Sequence, residues 1–240
     1  KRILIQGGGY IALEFACIFS GLGSLVTVVY RGDNILRGFD DDVRAHVRDE
    51  MEKNGITILT GCTVDGIEKH DDWYTSHLSN GSSIASDKVM FAIGRHPAVA
   101  NLGLEKAGVA INPDNGGIVV NEASQSSVPH IYAVGDVTHR FNLTPVAIRE
   151  GHAFADTVFG KRAVKVDHID IPTAVFTQPQ VGTVGLTEAQ ARAQFAIVDV
   201  YKAAFRPLKA TLSGSESRVL MKLVVDAGSD RVVGCHIVGS

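Results

Sequence analysis

The strand-like stretch RILIQ (2–6) runs directly into GGGYIALEFA, and this junction constrains the fold more than any other part of the chain. Residues Gly7 to Ala12 fit the pattern GxGxxA. The pattern alone is a weak signal. Here it follows a strand and opens a helix, with Ile11, Phe15, Ile18, Phe19 and Leu22 at helical spacing. Gly23 stops the helix, and LVTVVY (25–30) reads as a second, β-branched strand. The result is a βαβ unit, which implies a parallel sheet and a right-handed crossover. Within Gly7-Gly8-Gly9, Gly7 permits the tight turn and Gly9 lets the backbone approach a pyrophosphate, while Ala12 allows close helix–strand packing. The diphosphate of a dinucleotide then lies on the helix N-terminus, where free N–H groups and the dipole favour an anion. A glycine turn that joins strand and helix without a ligand is the competing explanation.

The end of the second strand bears on which dinucleotide. An NAD-binding unit places an acid there to accept hydrogen bonds from the ribose hydroxyls. This chain has Tyr30 followed by Arg31, with Arg37 a few residues on. Two guanidinium groups can clamp a 2′-phosphate that an acid would repel. Arginines on a surface loop can also be solvated charges, but their place at the ribose end favours NADP. Glu14, one turn into the helix, reads either as a neighbour of the dinucleotide or as a carboxylate favoured by the helix dipole.

Further along, GFDDDVRAHVRDEMEKNG has an acidic start and ends on Gly55, as a capped surface helix does, and its aspartates are better explained by capping than by a metal. ITILTG predicts a third strand, residues 63–89 a meander, and KVMFAIG a buried strand. GGIVVNE and HIYAVGDV predict two more strands, VAIREGHAFADTVFG a helix, and the region beyond Asp170 antiparallel strands around a helix. Composition shifts place boundaries at about residues 97 and 169. Without further context, Asp136 of the Gly-Asp pair reads as an Asx-turn residue.

A net charge of −3 gives no basic footprint for nucleic acid or an anionic membrane. No apolar run is long enough to span a bilayer and no signal peptide is visible. The 3 cysteines, Cys17, Cys62 and Cys235, lie far apart and form no disulfide framework, so a reducing, cytoplasmic setting is expected. The 9 histidines show no metal-ligand spacing, and no metal is expected.

Six segments, GGGYIALEFA, YRGDNILRGFD, FAIGR, IYAVGDVT, LTPVA and VFTQPQVGTVGLTE, resemble in order and spacing the flavin-dependent pyridine-nucleotide disulfide oxidoreductases, along all 240 residues. The glutathione reductase branch is the most similar, and FRPLKATLSG resembles its plant and bacterial members. The resemblance implies an α/β fold: a Rossmann-like NADPH-binding domain with parallel sheet and meander (1–97), the second half of an FAD-binding domain (98–169), and the N-terminal part of an α+β antiparallel dimerisation domain (170–240). It also implies roles. Gly7, Gly8, Gly9, Tyr10 and Ile11 cradle NADPH, with Tyr10 gating the nicotinamide pocket. Glu14 contacts the carboxamide, Arg31 and Arg37 clamp the 2′-phosphate, and Gly94 lines the dinucleotide path. Val175 sits beside the nicotinamide, Asp136 binds the flavin ribityl chain, and Thr144 places a backbone donor near the flavin's pyrimidine end.

By the same resemblance, the redox cysteine pair and the catalytic His and Glu belong to segments outside these residues. The chain is therefore expected to be an interior piece, with no catalytic residue of its own and no disulfide reductase activity alone. The parent is expected to be a homodimer that reduces glutathione disulfide with NADPH through FAD and a redox disulfide. The alternatives are a trypanothione or mercuric type of the same family, or a non-catalytic NADPH-binding module. Two positions depart from the family: Asn142, where leucine is usual, and His152, where some members carry an arginine for the glutathione carboxylate.

Overall fold

The structure is a computed structural model and describes residues 1–239. The chain forms two compact units, Lys1–Ile93 with Ile169–Ser240, and Gly94–His168. The first opens with β1 (Arg2–Gln6), α1 (Tyr10–Gly21), β2 (Leu25–Tyr30), α2 (Asp41–Lys53) and β3 (Thr57–Thr60). The meander β4 (Val64–Lys69), β5 (Tyr74–Leu78) and β6 (Ser83–Ser86) and the strand β7 (Lys88–Phe91) follow. β3, β2, β1 and β7 lie side by side as a parallel sheet, and β4–β5–β6 make a separate antiparallel one.

Alternation along β1 and β2 builds two cores at once. Ile3, Ile5, Val26 and Val28 point to one side, where Ala12, Leu13 and Ala16 of α1 pack on them. Leu4 and Val29 point to the other, against Cys62 and Leu78 of the meander side. The residues singled out by helical spacing are not the ones α1 buries most deeply. Phe15 and Ile18, with Leu22 at its C-cap, are exposed, and the inner face is Leu13 with Ala12 and Ala16, whose small side chains allow the helix backbone to lie close to the sheet. KVMFAIG also differs from expectation. β7 pairs only with β1, so it is an edge strand, and Phe91 and Ile93 are exposed.

The second unit contains α3 (Leu104–Ala107), a 3-10 turn (Gly135–Thr138) and α4 (Thr144–Val158) around a small core of Val109, Ile118 and Ala133. Here the predicted strands GGIVVNE and HIYAVGDV are absent as ladders. They make single bridges, Ile111 with Ile118 and Gln125 with Tyr132, and Gly135–Thr138 coils into the 3-10 turn. A run of β-branched residues becomes a strand only where a neighbouring chain segment supplies the ladder.

The first unit resumes with β8 (Thr173–Val175), β9 (Gln180–Gly185), α5 (Glu188–Gln194), β10 (Val198–Phe205), α6 (Leu208–Ser213), β11 (Val219–Asp226) and β12 (Arg231–Gly239). These strands form an antiparallel sheet in the order β10-β11-β12-β9-β8. Alternation along β11 turns Leu220, Lys222 and Val224 inward and Met221 and Leu223 outward. A lysine thus occupies a core position. Its ammonium meets Asp40 at 2.8 Å, Asp42 at 2.6 Å and Glu188 at 2.8 Å. The aspartate run therefore has two duties. Asp40 caps α2 by accepting from the Asp42 amide at 3.1 Å, and it also anchors the buried cation.

Candidate functional site

The three glycines after β1 are needed for three different reasons. Gly7 has φ 145°, and a Cβ there would stand 2.4 Å from the carbonyl oxygen of Ala92. A Cβ on Gly8 would stand 2.4 Å from Cγ of the Tyr30 ring. Gly9 has an ordinary extended backbone, φ −84° and ψ 172°, and no heavy atom lies within 4 Å of the Cβ position. The protein's own packing explains the first two and leaves Gly9 facing open space, which is what the close approach of a ligand requires.

The helix end beside it is equally open. α1 has no side-chain cap and no acid in its first turn. α2 and α5 close their own ends, with Asp40 and with a Thr187–Gln190 capping box. The orphan N–H donors of α1 are left to water or an anion, a fit for a diphosphate. Two substitutions separate the roles. Gly8→Ala should lower stability by about 1–3 kcal/mol through overpacking against Tyr30. Gly9→Ala should cost no more than about 1 kcal/mol in thermal melting, the N-cap preference for glycine over alanine alone, yet weaken dinucleotide binding at least about tenfold by crowding the phosphates. Unchanged dinucleotide affinity in Gly9→Ala, by titration calorimetry, contradicts the assignment.

Beyond β2 the chain makes a loop that folds back on the glycine turn. Ile35 and Leu36 are buried, and the Leu36 amide donates to the Gly8 carbonyl at 2.7 Å with Leu36 at φ 53°. Arg31 and Arg37 flank this anchor. Both are exposed, and among the described residues neither guanidinium has a hydrogen bond or ion pair. The Tyr30 ring does not lie free at the ribose end. It is wedged between the Gly8 and Gly32 backbones, a Cβ at Gly32 falling 2.5 Å from its Cε1.

On α1, Tyr10 packs against the main core and Ile11 is partly exposed. Glu14 accepts a hydrogen bond from the Phe176 amide at 2.9 Å, tying the helix to the segment after β8. Phe176 is 65% exposed, whereas Val175 has no exposed surface and packs in the core. Val175 therefore lies in the packing behind Phe176 and offers a ligand no accessible atom as the residues stand. Burial pushes the Cys17 thiol up, which is the opposite of a reactive thiolate, and Cys62 is buried.

In the second unit, Arg95 and Asp136 form an ion pair at 3.1 Å, both side chains about half exposed. They line a cleft of about 400 Å³ with His96, Val137, His139 and Asn142. Asn142 Oδ1 is buried there without a hydrogen-bond partner, an acceptor lacking its donor. Gly94, at φ 149°, has nothing near its Cβ position, and Thr144 begins α4, whose N-terminus has neither a side-chain cap nor an acid. The orphan amide oxygen and the open helix end both fit a polar ligand such as a flavin.

Glu150, 1% exposed, is a residue the sequence did not single out. It accepts from the Gly135 amide at 2.7 Å, from Arg140 at 2.8 Å, and makes a 2.8 Å contact with His168. It thereby fixes the turn that presents Asp136. The acid of an apolar helix face, spaced to meet a Gly-Asp turn, was its only signal. His152 is exposed and lines a separate cleft with Arg149, Arg162 and Lys165. Among the described residues, no group of three or more His, Cys, Asp or Glu is placed to hold a metal, and no helix is long and apolar enough to cross a membrane.

Comparison with known proteins connects these features. Residues 1–151 match the family described as pyridine nucleotide-disulphide oxidoreductase, and residues 171–240 match its dimerisation domain. Glutathione reductase of Burkholderia cepacia is 53% identical over 239 residues, an alignment covering 100% of this chain and 53% of that protein. The chloroplastic/mitochondrial glutathione reductase of Pisum sativum is 49% identical over 240 residues, covering 100% and 43%. Trypanothione reductase of Trypanosoma congolense is 43% identical over 245 residues, covering 100% and 49%. Among solved structures, the HOCl-induced flavoprotein disulfide reductase RclA from Escherichia coli superposes with a TM-score of 0.90 at 29% identity, covering 99% of this chain and 55% of that one. The chain spans about half the length of the curated relatives it matches. With its glycine turn, its open helix ends and a family match over most of its length, the chain belongs to the pyridine nucleotide-disulphide oxidoreductases.

Proposed function

We propose that this chain is the NADPH-binding part, with portions of the flavin-binding and dimerisation parts, of an NADPH-dependent glutathione-disulfide reductase. The observation that carries the reading is the pairing of an open α1 N-terminus beside Gly9 with two exposed arginines on the adjoining loop that have no ion-pair partner among the described residues. Diphosphate on the helix end and 2′-phosphate on Arg31 and Arg37 account for both features with one ligand. Residues 1–97 take the NADPH role, 98–169 the flavin role and 170–240 the subunit-contact role in a homodimer. FAD, when bound, supplies the two-electron relay between nicotinamide and a redox disulfide.

The chain's own residues bind and orient. Gly7 to Ile11 carry the dinucleotide phosphates, and Glu14 holds the Phe176 segment beside them. In the flavin part, Asp136 and the Asn142 amide are the groups for a polyhydroxy chain and a polar ring edge, with the α4 end at Thr144 close to Asn142 in sequence and Gly94 next to Arg95 of the same cleft. Two relatives at 53% and 49% identity are glutathione reductases against 43% for a trypanothione reductase, which favours glutathione disulfide, although a further glutathione reductase, of Yarrowia lipolytica, stands at 36%.

The test uses a full-length protein containing these 240 residues. NADPH oxidation should proceed with glutathione disulfide and be far slower in kcat/KM with trypanothione disulfide. The reverse order of the two substrates, or NADH serving as well as NADPH, would contradict the proposal.

A further inference from the structure

Arg44, on the first turns of α2, is an arginine that neither the glycine motif nor the flanking loop explains. Its side chain is 14% exposed. Nε donates to the Ile35 carbonyl at 2.8 Å, and Nη2 donates to the Asn34 carbonyl at 2.9 Å and to Asp33 at 3.2 Å. Nη1 donates to Asp41 at 2.6 Å. Four of the five N–H donors of a guanidinium are thus committed, all to residues 33–41. Arg44 has little left with which to hold a phosphate itself.

The acceptors say what it does instead. The carbonyls of Asn34 and Ile35 lie between Arg31 and Arg37 in the chain, on the loop that carries both. The apolar side of this loop is held by buried Ile35 and Leu36 and by the Leu36–Gly8 hydrogen bond. The Arg44 fork holds its polar side. The carboxylates it engages, Asp33 and Asp41, also stand next to the loop arginines in sequence and would oppose an incoming anion. The Asp33 carboxyl is held below the ordinary range, first by the Asn34 amide and then by Arg44, so it stays charged beside the loop arginines. The platform under Arg44 is itself fixed, because Asp40 at the N-cap of α2 is locked onto buried Lys222.

We propose that Arg44 is a positioning residue for recognition of the 2′-phosphate: it fixes the backbone between Arg31 and Arg37 and neutralises Asp33 and Asp41, so that the two exposed guanidinium groups can act on an anion. The proposal rests on the NADPH reading given above. It differs from a general stabilising role in affecting one nucleotide and not the other.

The experiment is titration of the full chain with NADPH and with NADH, by nucleotide fluorescence, for wild type, Arg44→Ala and Arg44→Lys. Arg44→Ala should weaken NADPH about tenfold and NADH less than about twofold. Arg44→Lys keeps the charge and loses the fork, and should weaken NADPH about threefold. If the alanine variant does not fold, the lysine variant, with the same selective loss, carries the test. Equal weakening of both nucleotides, or no change in either, overturns the proposal. A wild type that prefers NADPH while Arg44→Ala keeps the full preference removes this inference alone. A wild type without any preference removes the NADPH reading, and this inference with it.

Discussion

Arg31→Ala and Arg37→Ala should each weaken NADPH and leave NADH nearly unchanged, in a chain that prefers NADPH by roughly 10²- to 10³-fold. The two guanidinium groups are exposed and have no competing partner among the described residues, so binding breaks no existing ion pair. A charge-assisted hydrogen bond, when well formed, contributes about 1.5–3 kcal/mol. Two arginines supply about 3–6 kcal/mol before losses, and ordering two long exposed side chains removes a substantial share. A net of about 3–4 kcal/mol is expected for the pair together. Because the phosphate is held at the surface, the preference should shrink with added salt, while NADH affinity changes less. Calorimetric titration of both nucleotides at two ionic strengths checks all of this. Equal affinities in the unsubstituted chain are the outcome that would sink the specificity claim.

Lys222→Met should lower stability by about 3–5 kcal/mol, the cost typical of leaving buried charge without its partner. The ammonium is 1% exposed and Asp40 as deeply buried, whereas Asp42 and Glu188 reach solvent in part, so the damage concentrates at Asp40. Burial by itself pushes the Lys222 ammonium down; hydrogen bonds to Asp40, Asp42 and Glu188 outweigh it and leave the group above the ordinary 10.5. Burial likewise opposes the charged forms of Asp40 and Asp42. The Glu188 amide and Lys222 reverse this for Asp40, and Lys222 with Lys202 for Asp42. In Glu188, hydrogen bonds from Lys222 and Arg192 dominate outright.

The three carboxyls therefore lie below their ordinary 3.8, 3.8 and 4.5. Their contribution is present above those values and is lost as pH falls through the lower folded ones. The lysine contribution is complete below 10.5 and is lost as pH rises through its higher folded value. Between about pH 5 and 10 the cluster's contribution is flat. The gap between wild type and Lys222→Met should narrow at about pH 4, where protonation relieves the orphaned acids. Asp40→Asn added to Lys222→Met keeps the cap and should recover part of the loss. Thermal melts at pH 7 and pH 4 decide it. A variant as stable as wild type at neutral pH contradicts this reading.

What could be read from the sequence depended on whether the signal was local. The βαβ unit was legible because apolar spacing changes from strand to helix and back within residues 2–30, punctuated by Gly7 and Gly23. The α2 cap was legible for the same reason, three aspartates followed by a helical pattern. The inner face of α1 was not. Hydrophobicity favours Phe15 and Ile18, whereas close approach of helix to sheet selects Ala12 and Ala16. Strand patterns at 116–122 and 130–137 had no ladder to join, which composition cannot report. Lys222 betrayed itself only by alternation, sitting between Leu220 and Val224 on one face, and its partner Asp40 lies 182 positions away. Arg44 was not singled out, because the acceptors that tie it to the loop backbone are the main-chain carbonyls of Asn34 and Ile35. Roles for Gly94, Asp136, Thr144 and Val175 came from family resemblance, and for Val175 burial narrows what that role can be.

The wedged tyrosine has a consequence for how such a unit changes its preference over evolutionary time. Turning the ribose end toward NADH calls for an acid where Tyr30 stands. The Tyr30 ring, however, fills the space between Gly8 and Gly32. A smaller side chain at position 30 leaves two bare glycine backbones facing a gap, and a larger residue at either glycine collides with the ring while it remains. Replacing Tyr30 alone trades this packing for the new hydrogen-bond acceptor, and filling either glycine first meets the ring. The packing of Gly8, Tyr30 and Gly32 thus adds a steric constraint to the preference that Arg31 and Arg37 set.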